Sequence, residues 1–138
     1  MRTWGTGPFE NEAAESFATE LDNADPDERE MLLRRALQDA VDADDGIDVA
    51  TAARAVAAAA VVSASLPGAP RIESDYAPEF LARDDLPEPA PDLPPLANEA
   101  LDRVEESRSP WLRLWREDDS LEDALGTLEL IRDPLPTV

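Results

Sequence analysis

A chain without histidine or cysteine must do any chemistry with carboxylates, hydroxyls and guanidinium groups. Thiolate and imidazole metal sites are therefore excluded, and so is every triad built on His or Cys. Carboxylates are plentiful at 32, so pairs such as Asp84-Asp85 and Asp118-Asp119 read as solvated loop acids before they read as an acid–base pair. Ser63 and Ser65 have no activating base near them in sequence. Asp42-Ala-Asp-Asp-Gly-Ile-Asp48 has the look of a calcium loop. Aligned on Gly46 as the sixth position, the first and third ligands would be Val41 and Ala43, and the twelfth Ala52, none of which can serve. A helix end, a turn and a new N-cap explain that segment better. The expectation is a protein that is not an enzyme, with no cofactor and no bound metal.

Two other segments concentrate unusual residues. Trp4-Gly-Thr-Gly-Pro-Phe-Glu-Asn-Glu12 puts two aromatic anchors, Trp4 and Phe9, on an irregular path that Gly5, Gly7 and Pro8 permit. Asn11 caps the helix after it, and Glu12 falls in that helix's first turn, where the helix dipole favours acids. The segment reads as a core plug and helix start, or as a functional motif. A phosphate cradle is disfavoured, because no strand precedes it, it has no P-loop Lys, and Glu10, Glu12 and Glu15 would repel phosphate. The second segment is Trp111-Leu-Arg-Leu-Trp-Arg116. Trp111 and Trp115 share a helical face, with Arg113 and Arg116 beside them. Such a helix is either buried or an aromatic patch for a partner, since Trp and Arg are common binding anchors.

The elements that must position these segments are helices. Asp48 to Leu66 is the one long apolar run, and it is dominated by Ala, the best helix former. Asp48 caps a helix from Val49, and Pro67-Gly68 stops it after Leu66. A helix apolar on nearly every side is a buried one. The run approaches the length of a membrane span, but Ala is weakly hydrophobic and Arg54 interrupts it, so no membrane is expected. The N-terminus has no signal-peptide apolar core, which points to the cytoplasm.

Around that centre the pattern is regular. Ala14, Phe17, Ala18 and Leu21 form a stripe for a helix over 12–22. Asp25-Pro-Asp-Glu28 starts a second helix, with Asp25 as its cap and Pro26 at its first position; Leu33, Ala36, Leu37, Ala40 and Val41 lie on its stripe and Leu32 beside it. The stretch 67–95 holds eight of the thirteen prolines and reads as an extended connection, pinned by Tyr76, Phe80, Leu81, Leu86 and Leu93. A fourth helix is expected over 96–107 on Ala97, Ala100, Leu101 and Val104. After the short aromatic helix, a last one starts at Ser120 with Ala124, Leu125, Leu128 and Ile131 inward, and Pro134 and Pro136 end it. The fold class is all-α: a single domain, 1–138, of about five to six helices around residues 49–66.

Two of these segments, with the central run, resemble a known family. Trp4-Gly-Thr-Gly-Pro-Phe-Glu-Asn-Glu-Ala-Ala14 is similar to the opening of bacterial and archaeal chains grouped as the domain of unknown function 4259 (DUF4259). Ala52 to Ala64 resembles that family's Ala- and Val-rich central helix, and Ser107 to Trp115 resembles a later segment ending in Leu-Trp. Glu12 departs from the usual Asp, and Pro110 interrupts the later segment. The resemblance implies membership and a helical domain, and carries no activity.

The net charge is −20, and all twelve basic residues are Arg. Such a surface repels phosphate backbones, so direct nucleic-acid binding is not expected. It suits a salt-adapted cytoplasmic protein, whose self-repulsion salt would screen. Function narrows to a non-catalytic protein-interaction module, self-association included. The alternative is an acidic inhibitor, antitoxin-like or nucleic-acid-mimicking, that blocks a basic partner. An enzyme working through carboxylates is the third reading.

Overall fold

The Ala-rich run forms a helix whose small side chains let other helices approach closely on several sides. The computed structural model describes residues 12–42, 49–64, 91–105, 121–132 and 135. Five helices lie among them: α1 (Glu12–Asn23), α2 (Pro26–Val41), α3 (Val49–Ala64), α4 (Leu93–Val104) and α5 (Leu121–Arg132). There is no strand among the described residues. The protein is a small all-α domain, with α3 packed against each of the other four helices and α2 against α4.

Burial on α3 reflects its composition. Ala52, Ala53 and every residue from Ala55 to Val62 are buried, while Ala50 and Arg54 are exposed near its N-terminal end. The partner helices bring larger side chains to this Ala surface. α1 buries Ala14, Phe17, Ala18 and Leu21, the stripe expected from spacing. α2 buries Leu33, Ala36, Leu37 and Ala40, with Leu32 and Val41 packed partly against the same core. α4 buries Leu93, Ala97, Ala100, Leu101 and Val104. α5 supplies Leu128 and Ile131, with Leu125 partly buried and Leu135 buried just beyond the helix end. Leu135 N–H donates to the carbonyl of Arg132, the last residue of α5, at 2.9 Å.

Helix ends differ from the expectation at α2 and α4. Asp25 precedes Pro26 as expected, but its side chain makes no capping bond; its carbonyl accepts the N–H of Arg29 at 2.8 Å. The central helix is described from Val49 to Ala64, and its expected last residues, Ser65 and Leu66, lie with the rest of 65–90 outside the described residues. α4 runs from Leu93 to Val104, three residues earlier at each end than the expected 96–107. Pro94 and Pro95 are therefore inside its first turn. That is permitted because the first N–H groups of a helix have no intrahelical acceptor. The first donor is Leu96, to the carbonyl of Asp92 at 3.2 Å, just past the prolines. Residues 93–95 thus belong to α4, and the rest of the expected Pro-rich connection, apart from the turn at 91–92, lies outside the described residues.

Arg29 secures the corner between α1 and α2. Its Nε donates to the carbonyl of Leu21 at 3.1 Å, and its Nη2 to that of Ala24 at 3.4 Å. The carbonyl of Leu21 also accepts the N–H of Ala24 at 3.3 Å, and the cation lies favourably at the negative end of the α1 dipole. No described helix is long and apolar enough to cross a membrane.

Candidate functional site

Of the candidate site residues, Glu12 alone is described. It is the first residue of α1 and is exposed, with Glu15 in the same first turn. Trp4, Gly5, Gly7, Phe9 and Asn11 lie outside the described residues, as do Trp111, Arg113, Trp115 and Arg116. Asp84, Asp85, Asp118, Asp119 and Ser65 lie outside them too, whereas Ser63 is buried in α3. Of the Asp42–Asp48 segment, Asp42 closes α2. Its N–H donates to the carbonyl of Gln38 at 2.8 Å, and its Oδ1 accepts from Gln38 Nε2 at 3.0 Å. Among the described residues, no group of three or more carboxylates is placed to hold a metal ion.

What the structure does assemble is a pair of ionic joints between helices. At the first turn of α4, Asp92 turns its carboxylate away from the capping role that its position offers and toward α2. Arg34 Nε donates to Asp92 Oδ2 at 3.1 Å and Arg34 Nη2 to Oδ1 at 3.0 Å, a two-pronged fit of a planar fork to a carboxylate. The hydrogen bond from Arg34, aided by charge attraction, holds Asp92 below the ordinary aspartate range and raises Arg34.

The second joint ties the C-terminal ends of α4 and α5. Arg132 Nη2 lies 2.7 Å from Asp102 Oδ1 and 3.1 Å from Glu105 Oε2. Asp102 and Glu105 are one helical turn apart, so both reach one cation. Glu105 is mostly buried, with 29% of its side chain exposed. Burial pushes its carboxyl above the ordinary glutamate range; Arg132 pulls the other way, while Asp102 and Glu129 add to the upward push. The Nε of Arg132 is buried and has no hydrogen-bond partner among the described residues.

A raised carboxyl is one mark of a general acid, but burial beside Asp102 and Glu129 accounts for this one without a substrate, and its contact with Arg132 links two helices. The sequence reading missed both joints. Asp102 and Glu105 sit three apart on the border of the α4 stripe, a detectable signal, but nothing local identifies Arg132, which is 30 residues away from Asp102, as their partner. It also missed Asn98, a polar residue buried in α4. Two large apolar side chains, Met31 on α2 and Leu130 on α5, are exposed.

No curated protein and no solved structure matches the chain. The model of one family does match, over residues 3–127, a span that contains the Trp4–Glu12 opening, the Ala-rich helix and the Trp111–Arg116 segment. With most of its length covered, and with the all-α architecture that the resemblance implied, the chain belongs to the family described as a domain of unknown function (DUF4259).

Proposed function

We propose that this domain is a non-catalytic protein-interaction module of the cytoplasm, adapted to high salt. The observation that carries this reading is the Trp111–Arg116 segment. Two of the chain's three tryptophans and two of its twelve arginines fall within six residues there. Trp buries much area with few rotatable bonds, Arg adds a planar fork of donors, and both are enriched in binding hot spots. The test is co-purification from the source cell in its own intracellular salt, with wild type beside a Trp111→Ala/Trp115→Ala variant whose helical circular dichroism is intact. The expected result is one stoichiometric partner that the variant loses. No partner in either preparation, or the same partner in both, overturns it.

The charge of −20 favours a second reading, an acidic inhibitor seated in a basic groove. Salt separates the two. An apolar, aromatic contact persists or strengthens as salt rises, while binding led by complementary charge weakens steeply.

A further inference from the structure

Glu105 sits where an ionised carboxylate is poorly placed. It is the C-cap residue of α4, at the negative end of that helix's dipole. It is largely withdrawn from water, and Asp102 on its own helix and Glu129 on α5 add negative charge nearby. Among the described residues, Arg132 on α5 is the opposing cation. α3, which packs on both α4 and α5, has Arg54 as its one charged residue, and that side chain is exposed. α2 packs on α4 as well, but its Arg34 is engaged by Asp92 at the opposite end of α4. Arg132 does not depend on Glu105 for a partner, because its shorter contact, 2.7 Å, is to the exposed carboxylate of Asp102. Among the described residues, the large side chains that attach α5 are Leu128 and Ile131, with Leu125 partly buried.

We propose that the Arg132–Asp102–Glu105 cluster is a pH-sensitive joint that docks α5 more tightly when Glu105 is protonated than when it is ionised. Burial raises the proton affinity of Glu105 in the docked state above that of a solvated glutamate. By linkage, docking gains stability as pH falls through the docked-state pKa, and the gain is complete below the undocked value. Arg132 meanwhile stays on Asp102. At neutral pH the ionised Glu105, although paired with Arg132, leaves α5 less tightly docked than the protonated form would. This direction is opposite to that of an ordinary salt bridge, which acid weakens.

The experiment is residue-resolved amide hydrogen exchange on the full chain in molar KCl, from about pH 7.5 to about pH 5, corrected for intrinsic rates. The quantity read is the protection of α5 relative to α1 and α2, which cancels the general relief of acidic repulsion. In wild type this ratio should rise several-fold as pH falls. In Glu105→Gln it should already be high at neutral pH and stay flat. A wild-type ratio that falls or does not change overturns the proposal, as does a Glu105→Gln ratio that follows wild type. Carboxyl-carbon NMR of wild-type Glu105 is an independent check. A midpoint above the ordinary glutamate range supports the joint, and one at or below it sinks the proposal whatever the variant does.

Discussion

Arg34 and Asp92 stand 58 positions apart and meet as fork and carboxylate, with both nitrogen–oxygen distances near 3 Å. Together they fix the first turn of α4 against α2. Both side chains are well exposed, so water and salt screen the pair, and exposed pairs contribute little. The geometry is what raises this one above a chance contact. A double-mutant cycle with Arg34→Gln and Asp92→Asn should show a favourable coupling at low salt that disappears in molar KCl. The direction of the Asp92 shift sets the pH dependence. Its carboxyl lies below the ordinary range in the folded state, so its contribution is present above the unfolded value and is lost as pH falls through the folded one. A coupling that grows with salt, or one unchanged once Asp92 is titrated, would show that the contact contributes through something other than charge.

Salt should act on the whole molecule in the opposite sense. A net charge of −20 on 138 residues opposes compaction, and the described basic groups Arg29, Arg34 and Arg132 are engaged at helix corners and joints. Screening the remaining acidic excess should therefore stabilise the fold more than it weakens these local pairs. Thermal unfolding followed by circular dichroism is expected to show a midpoint that rises from low to molar KCl. A flat or falling midpoint would mean that the local pairs outweigh the global repulsion.

The division between what was legible in the sequence and what was not tracks the range of the interactions. Ala14, Phe17, Ala18 and Leu21 announced α1 because the 3.6-residue period is a property of neighbouring positions. The buried status of α3 was legible for the same reason, since polar residues are nearly absent from all its faces. Pro94 and Pro95 misled, because a proline pair looks like a break unless the helix start is known to lie before it. Asp25 looked like a capping side chain, yet the carbonyl makes the bond that matters there. The Arg34–Asp92 and Arg132–Asp102 joints were illegible in principle. With 32 acids available, no local rule selects the carboxylate that tertiary packing brings to a given Arg. The Trp4–Glu12 and Trp111–Arg116 readings rested on local composition and, apart from the place of Glu12 at the start of α1, lie outside the described residues.

Close helix approach on α3 should make its buried alanines intolerant of size. Ala58 is fully buried, with Ala57, Ala59 and Ala60 beside it, whereas Ala50 on the same helix is exposed. Ala58→Leu inserts three carbons where neighbours would have to move, at a cost of about 1–3 kcal/mol or more. Ala50→Leu changes helix propensity only slightly and should stay within roughly 0.5 kcal/mol of wild type. Urea unfolding of the two variants checks the contrast. Equal, small losses would mean that the space around α3 is looser than its burial implies.

Gly126 offers the reverse experiment, a change that should stabilise. It lies in the interior of α5, where glycine costs conformational entropy on folding without providing a packing contact. A Cβ built at this position meets nothing within 4 Å, so alanine adds no clash. Gly126→Ala should then raise stability by roughly 0.5–1 kcal/mol, the usual difference between the two residues inside a helix. If α5 opens locally before the rest of the domain, the gain should appear first as slower hydrogen exchange in α5 and only in part as a higher global unfolding midpoint. Slower exchange across all five helices together would instead show that α5 unfolds only with the whole domain. A loss of stability would mean that α5 requires glycine at this position for a reason other than space.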